Sequence, residues 1–185
     1  MNIQFRTSEL DAVRRVLRQG CRWVRLAFPA DVDDEQARPV AEEALALCRQ
    51  HDAVLIIDDR PTLCLAVKAD GIHLADADRV SEVRKQLGEE PIVGVSVGDY
   101  AAARHARAFG ADYLDCGPLD AVGLDGVRAL VLALYEDDLP VPVSVFGHVT
   151  PQDIPALSAT GARGVTTDDE AFFDRDAFAF IDKIS

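Results

Sequence analysis

No apolar run in this 185-residue sequence approaches the roughly 20 residues a membrane-spanning helix needs. Its first 20 residues, MNIQFRTSELDAVRRVLRQG, alternate apolar with charged side chains and lack the continuous apolar core of a secretory leader. A cytoplasmic protein with no membrane contact is therefore expected. Cysteine pairs are missing too: Cys21, Cys48, Cys64 and Cys116 are widely separated and none forms a CxxC unit. That pattern speaks against structural zinc and a disulfide scaffold, and for small buried thiols. Positive charge is scarce, 19 Lys and Arg against 32 Asp and Glu, for a formal net charge of −13. A phosphate backbone has to meet lysine and arginine, so nucleic acid and anionic membranes are excluded as partners. What remains is a small-molecule ligand, and an anionic one would require a metal between it and the chain.

With 49% hydrophobic and 28% charged residues, the chain is too apolar for disorder, and its length suits one domain over 1–185. The most informative stretch is LIIDDRPTLCLAVKADGIHLADAD, Leu55 to Asp78. Two buried-looking strands, Ala53 to Ile57 and Gly71 to Leu74, each end in aspartates. If they are parallel neighbours, Asp58, Asp59, Asp76 and Asp78 gather at one sheet edge, where α/β folds place their ligands. Oxygen-only surroundings of this kind suit a hard cation such as Mg2+, which binds through one or two carboxylates plus substrate phosphates. The plainer reading of each aspartate alone is a solvated cap.

The chain around this stretch alternates strand with helix. Strands are expected at Asn2 to Arg6, Trp23 to Ala27, Pro91 to Val97, Tyr113 to Cys116, Pro140 to Phe146 and Gly164 to Thr167. Helices are expected from Ser8 to about Gln19, Asp33 to Arg49, Thr62 to Val67, Arg79 to Leu87, Tyr100 to Phe109, Leu124 to Tyr135, from Pro151, and Asp174 to Ile184. A repeat ties them together: QGCRWV, FGADYL and TGARGV, with KADGIH as a variant, run from a helix stop through a charged residue into a strand. The charged residue marks a solvent-facing turn. Eight strand-helix units of about 23 residues point to an α/β fold, a compact (β/α)8 TIM barrel, with a doubly wound open sheet as the alternative.

In the barrel, the strand ends bring Arg25, Asp58, Asp59, Asp76, Asp78, Ser96, Asp115, Cys116, Gly147, His148, Asp168 and Asp169 to one rim. Arg25 is a partner for an aspartate or a bidentate ligand for phosphate or carboxylate. Ser96 can donate to a phosphate or satisfy a backbone carbonyl. His148 is placed for general acid-base work, although a helix cap at Thr150 explains the local sequence as well. His73, inside a strand, reads as a packing residue.

Leu55 to Asp78, then PIVGVSV, HARAFGADYLDCGPL and VPVSVFGHVTPQDIPALSATGARGV, together resemble the thiamine phosphate synthase and TenI-like thiazole tautomerase family, in register over about Gly20 to Val165. The resemblance implies a (β/α)8 barrel that couples hydroxymethylpyrimidine diphosphate to a thiazole phosphate with Mg2+ assistance, and it admits a homodimer. It implies that Asp59 and Asp78 match the metal-binding aspartates and Ser96 a substrate-binding serine, with Arg25, Asp58, Gly117, Gly147 and His148 at further substrate-binding positions. The chain also departs from the family pattern. Arg25 stands for a glutamine and Asp58 for an asparagine, no lysine follows Gly117-Pro118, and Asp168, Asp169 and Glu170 replace small residues that receive phosphate. A diverged, non-catalytic ligand-binding barrel and a tautomerase are the alternatives.

Overall fold

The computed structural model describes residues 1–174. Eight strands close into one parallel barrel: β1 Asn2–Thr7, β2 Trp23–Leu26, β3 Val54–Asp58, β4 Gly71–Leu74, β5 Ile92–Val97, β6 Tyr113–Cys116, β7 Val143–Phe146 and β8 Gly164–Thr167. Closure comes from β8 pairing with β1, with Asn2 opposite Gly164 and Gln4 opposite Thr166. This excludes the open doubly wound sheet. Seven helices lie between successive strands: α1 Leu10–Arg18, α2 Asp34–Gln50, α3 Pro61–Val67, α4 Val80–Leu87, α5 Tyr100–Ala108, α6 Leu119–Glu136 and α7 Ile154–Ser158. The helix expected over Asp174 to Ile184 lies outside the described residues from 175 onward. Among the described residues, no helix is long and apolar enough to cross a membrane.

Local chemistry sets the helix starts. Asp33 and Gln36 form a reciprocal capping box for α2, and Asp99 accepts the Ala102 amide at the head of α5. Several expected boundaries shift; the helix expected from Pro151 starts at Ile154 after a 3-10 turn over Pro151–Asp153, and three other shifts have a local cause. The first helix starts at Leu10 with Glu9 as its N-cap, because Thr7 Oγ1 accepts the Glu9 amide in place of a Ser8 cap. Strand β7 begins at Val143 because Pro140 and Pro142 cannot donate to a ladder. Helix α6 begins five residues early, after the cis Gly117-Pro118 bond, and Gly123, at φ 70°, kinks it.

The repeated charged residue works at the barrel floor. Asp70 Oδ2 accepts the Leu55 amide at 2.8 Å, and Asp112 Oδ2 accepts the Val93 amide at 2.8 Å, so each aspartate pins the start of an earlier strand. Beneath them the buried Arg84 guanidinium donates to the carbonyls of Gly110 and Pro91 and pairs with Asp112.

Strand alternation divides the interior in two. One set of side chains, including Phe5, Val24, Leu55, Ile72, Val95, Leu114 and Val165, packs with the helices in a single hydrophobic cluster. The other set points into the ring and is largely polar: Gln4, Arg25, Asp58, His73, Ser96, Tyr113, Asp115 and Thr166. Tyr113 fits there because its neighbour is Gly94; a Cβ on Gly94 would lie 1.9 Å from the tyrosine Cζ. Since Tyr113 is almost fully buried, it has nowhere to retreat. Gly94→Ala is expected to lower stability by about 3 kcal/mol, read as a lower urea midpoint at unchanged slope; a variant within about 0.5 kcal/mol of the parent would contradict this packing.

Candidate active site

At the C-terminal ends of the strands, Arg25 is the centre of a buried ion group. Its Nε and Nη2 lie 2.7 and 2.6 Å from Asp58 Oδ1, and its Nη1 donates to Asp115 Oδ2 at 3.2 Å. Arg6, the register partner of Arg25 on β1, donates from Nε and Nη2 to the other Asp58 oxygen at 3.2 and 3.0 Å. Asp58 is therefore shared by two guanidiniums, and Arg25 by two carboxylates. Burial pushes the Asp115 carboxyl up to about 6 against the pull of Arg25.

A second polar chain crosses the barrel beside it. Thr166 Oγ1 donates to Gln4 Oε1 at 3.2 Å, and Gln4 Nε2 donates to Tyr113 Oη at 3.1 Å. Tyr113 Oη lies 2.9 Å from His73 Nδ1, and His73 Nε2 lies 2.9 Å from Ser96 Oγ. Because Gln4 is already a donor to Tyr113, the phenol O–H donates to Nδ1. His73 then carries its proton on Nε2 and donates to Ser96. Burial, reinforced by Arg25 and Arg6, holds His73 well below its ordinary value, so the ring is neutral. The result is a Ser96 hydroxyl fixed by a rigid donor and still holding its own proton for a ligand.

Ser96 and Arg25 face a cavity of about 430 Å3, which Arg6, Phe146, Gly147, Thr166, Thr167 and Asp168 also line. Of the other residues singled out from sequence, Gly117 is buried next to Phe146 and lines a different cleft, between α5 and α6. His148 is exposed just beyond Gly147 and makes no side-chain hydrogen bond among the described residues. The four cysteines are buried and free, and burial raises their thiols to about 11 or 12, which suits packing and not nucleophilic chemistry.

Asp59 follows β3 directly and Asp78 sits in the 3-10 turn Ala77–Arg79 after β4, and these two strands pair. Asp59 pairs with Arg79, and Asp78 Oδ1 lies 3.3 Å from His105 Nε2. Among the described residues, no group of three or more His, Cys, Asp or Glu side chains forms a metal cage. The donor chemistry still fits a hard cation that arrives with its phosphate ligand, since such an ion needs one or two carboxylates from the protein. The Asp59 to Arg79 pair is solvent-exposed on both sides and so is worth at most about 1 kcal/mol, little obstacle to exchange.

Sequence reasoning did not single out Tyr113, Gln4 or Arg6 as site residues, it placed Asp115 on the rim without a role, and it read His73 as packing. One signal was available: on a parallel strand, alternation puts His73 on the face of its register partner Asp58, and Asp115 on the face of Ser96.

A closed parallel barrel with a polar cavity at its strand C-termini is the (β/α)8 barrel architecture, in which ligand sites lie at that face. The comparisons narrow this. The family described as thiamine monophosphate synthase matches residues 2–167. The thiamine-phosphate synthase of Bacteroides fragilis strain YCH46 is 31% identical over 182 residues, covering 89% of each chain. That of Phocaeicola vulgatus is 33% identical over 169 residues, covering 85% of this chain and 81% of the relative. Among solved structures, thiamine phosphate pyrophosphorylase from Pyrococcus furiosus superposes with a TM-score of 0.83 at 25% identity, covering 99% of this chain and 94% of that one. The chain belongs to the thiamine monophosphate synthase family.

The raised Asp115 carboxyl carries a stability signature. A carboxyl whose folded value lies above its unfolded one, here about 6 against 3.8, adds stability that is complete below about pH 4 and is lost as the pH climbs through 6. Asp115→Asn removes that dependence. The stability of the parent relative to the variant is expected to fall by on the order of 3 kcal/mol between pH 4 and pH 7, measured by urea denaturation at each pH. A difference that stays level or grows would contradict the assignment.

Proposed function

We propose that this chain is a transferase of the thiamine phosphate synthase type, moving a hydroxymethylpyrimidine group from its diphosphate onto a thiazole nitrogen. The bond from the pyrimidine methylene to the diphosphate oxygen breaks, the new carbon–nitrogen bond forms, and pyrophosphate departs. What carries this reading is the Ser96 hydroxyl, held by neutral His73 on a cavity wall that also contains Arg25, on a chain belonging to this family.

In this reading the Ser96 hydroxyl donates to the diphosphate as negative charge grows on the departing oxygen. Because the His73 to Tyr113 to Gln4 chain already fixes the Ser96 oxygen, that donation needs no reorganisation during the step. Arg25 borders the reacting carbon, with Asp58 and Asp115 keeping its guanidinium in place. Asp59 and Asp78 are the residues that would hold Mg2+, which when bound supplies charge neutralisation for the diphosphate. Gly147 and His148 border the acceptor at the β7 end, and Gly117 shapes the start of α6 behind it. A place in the cytoplasm, a single barrel domain, and a homodimer complete the proposal.

The test is coupling of hydroxymethylpyrimidine diphosphate with Mg2+ and either the thiazole alcohol or its phosphate, followed as pyrophosphate and coupled product. Turnover is expected with at least one acceptor, and Ser96→Ala should lower kcat by about 10²- to 10³-fold while the fold is kept. No product with either acceptor, beside a competent synthase run in parallel, would overturn the transferase assignment.

A further inference from the structure

The two polar assemblies of the barrel interior meet at Thr166. The Asp115 carboxyl is fully buried; its Oδ2 accepts from Arg25 Nη1 at 3.2 Å, and its Oδ1 has no hydrogen-bond partner among the described residues. Thr166 stands within hydrogen-bonding reach of the same carboxyl, but its single hydroxyl proton goes to Gln4 Oε1 at 3.2 Å. A buried carboxylate oxygen left without a donor is costly. A proton on Asp115 removes the cost, because the acid can then donate to the Thr166 oxygen.

Two directions of the chain satisfy every member. In the first, Asp115 donates to Thr166, Thr166 to Gln4 Oε1, Gln4 Nε2 to Tyr113, Tyr113 to His73 Nδ1 and His73 Nε2 to Ser96, whose own proton stays available to a ligand; from Thr166 onward this is the direction the structure shows. In the second, ionised Asp115 accepts from Thr166, and a half-turn of the Gln4 carboxamide makes Gln4 donate to Thr166 and accept from Tyr113. Tyr113 then accepts from His73 Nδ1, and His73 Nε2 takes up the Ser96 proton as an acceptor. Thr166, Tyr113, His73 and Ser96 hold one exchangeable hydrogen each in both directions. The sole difference is the proton on Asp115.

The titratable groups of the interior around Asp115 are Arg6 on β1, Arg25 on β2, Asp58 on β3, His73 on β4 and, on its own strand, Tyr113 and Cys116. Its register neighbours, Ser96 on β5 and Ser144 on β7, do not titrate. Burial keeps the Tyr113 phenol and the Cys116 thiol protonated and His73 neutral. Arg25 favours the Asp115 carboxylate, burial and Asp58 favour the acid, and burial dominates, moving the carboxyl up to about 6.

We infer that Asp115 is a positioning residue for Ser96: protonated, it directs the chain through Thr166, Gln4, Tyr113 and His73 so that Ser96 donates to an anionic ligand, and ionised, it turns that donor inward. By reciprocity, an anion that needs the Ser96 proton is bound with uptake of a proton at Asp115. The consequence for catalysis rests on the transferase reading; the direction of the chain does not.

The experiment is nitrogen-15 NMR of the histidine rings in the full chain between pH 5 and pH 8. In the parent, the His73 proton is expected on Nε2 at pH 5 and on Nδ1 at pH 8, with the change near pH 6. Asp115→Asn, whose amide N–H replaces the acid O–H, should keep it on Nε2 throughout. Thr166→Val, checked for folding by circular dichroism, should abolish the change, and Thr166→Ser should restore it. A parent tautomer that stays the same, or a change that survives in Asp115→Asn, overturns the inference. In coupling assays, the ratio of parent to Asp115→Asn kcat/KM for the diphosphate should fall about tenfold or more from pH 5 to pH 8; a level ratio overturns the role given to the Ser96 proton. Because the tautomer is read without turnover, a chain that switches yet couples nothing leaves the inference standing and removes only the transferase assignment.

Discussion

Closure of the sheet, β8 onto β1, is the constraint from which the rest follows. Once eight short parallel strands form a ring, every second side chain is enclosed and must find its partner there. An enclosed charge without a partner is costly. The chain meets this with two interlocking solutions: an ion group centred on Arg25, and a chain of hydrogen bonds from Thr166 through Gln4, Tyr113 and His73 to Ser96. Each links strands far apart in sequence. Gln4 and Tyr113 lie 109 positions apart, and Arg25 and Asp115 lie 90 apart. The hydrophobic layer outside the ring gives the barrel most of its burial, while the polar interior fixes which groups reach the cavity and in what protonation state.

That arrangement also sets the electrostatics of the open end. Arginines at a barrel mouth would ordinarily suggest an anion site, but Arg6 and Arg25 are committed to Asp58 and Asp115 before any ligand arrives. The helix and turn starts around the rim are likewise capped by the chain's own aspartates: Asp33, Asp76, Asp99, Asp153 and Asp169 each accept a backbone amide. The excess of acid over base in the sequence is thus spent in part on caps at the functional face. Besides the two arginines, the cavity is lined by the hydroxyl residues Ser96, Thr166 and Thr167 and by Asp168.

Much of the fold was legible from sequence because its signals are local. Strands such as Gly71–Leu74, Tyr113–Cys116 and Gly164–Thr167 are bounded by aspartates, glycines and prolines that mark element ends, and Asp33, read as the first helical residue, is in fact the cap of α2. The boundaries that shifted involve cooperation between neighbours: Thr7 supplying the acceptor for Glu9, or Pro118 standing as the N-cap of a helix that starts at Leu119. The candidate site was legible as a set of rim residues and not as a network. That Arg25 would pair with an aspartate could be read from its strand position; that it takes two, and shares one with Arg6, depends on barrel register. His73 looked like packing because a strand histidine has no local sign of its partners. Asp115 sat among the rim residues without a role, since its burial and its contact with Arg25 exist only after closure.

The buried ion group at Arg25 can be tested most directly through stability. Arg25→Met should leave Asp58 and Asp115 facing each other with one guanidinium fewer, and cost about 3 to 5 kcal/mol. Adding Asp58→Asn and Asp115→Asn to the same chain should recover at least half of that loss, because the charges that needed Arg25 are then gone. Equilibrium urea unfolding of the single and triple variants at pH 8 decides the matter. An Arg25→Met variant within about 1 kcal/mol of the parent, or a triple variant no more stable than the single one, would contradict the account.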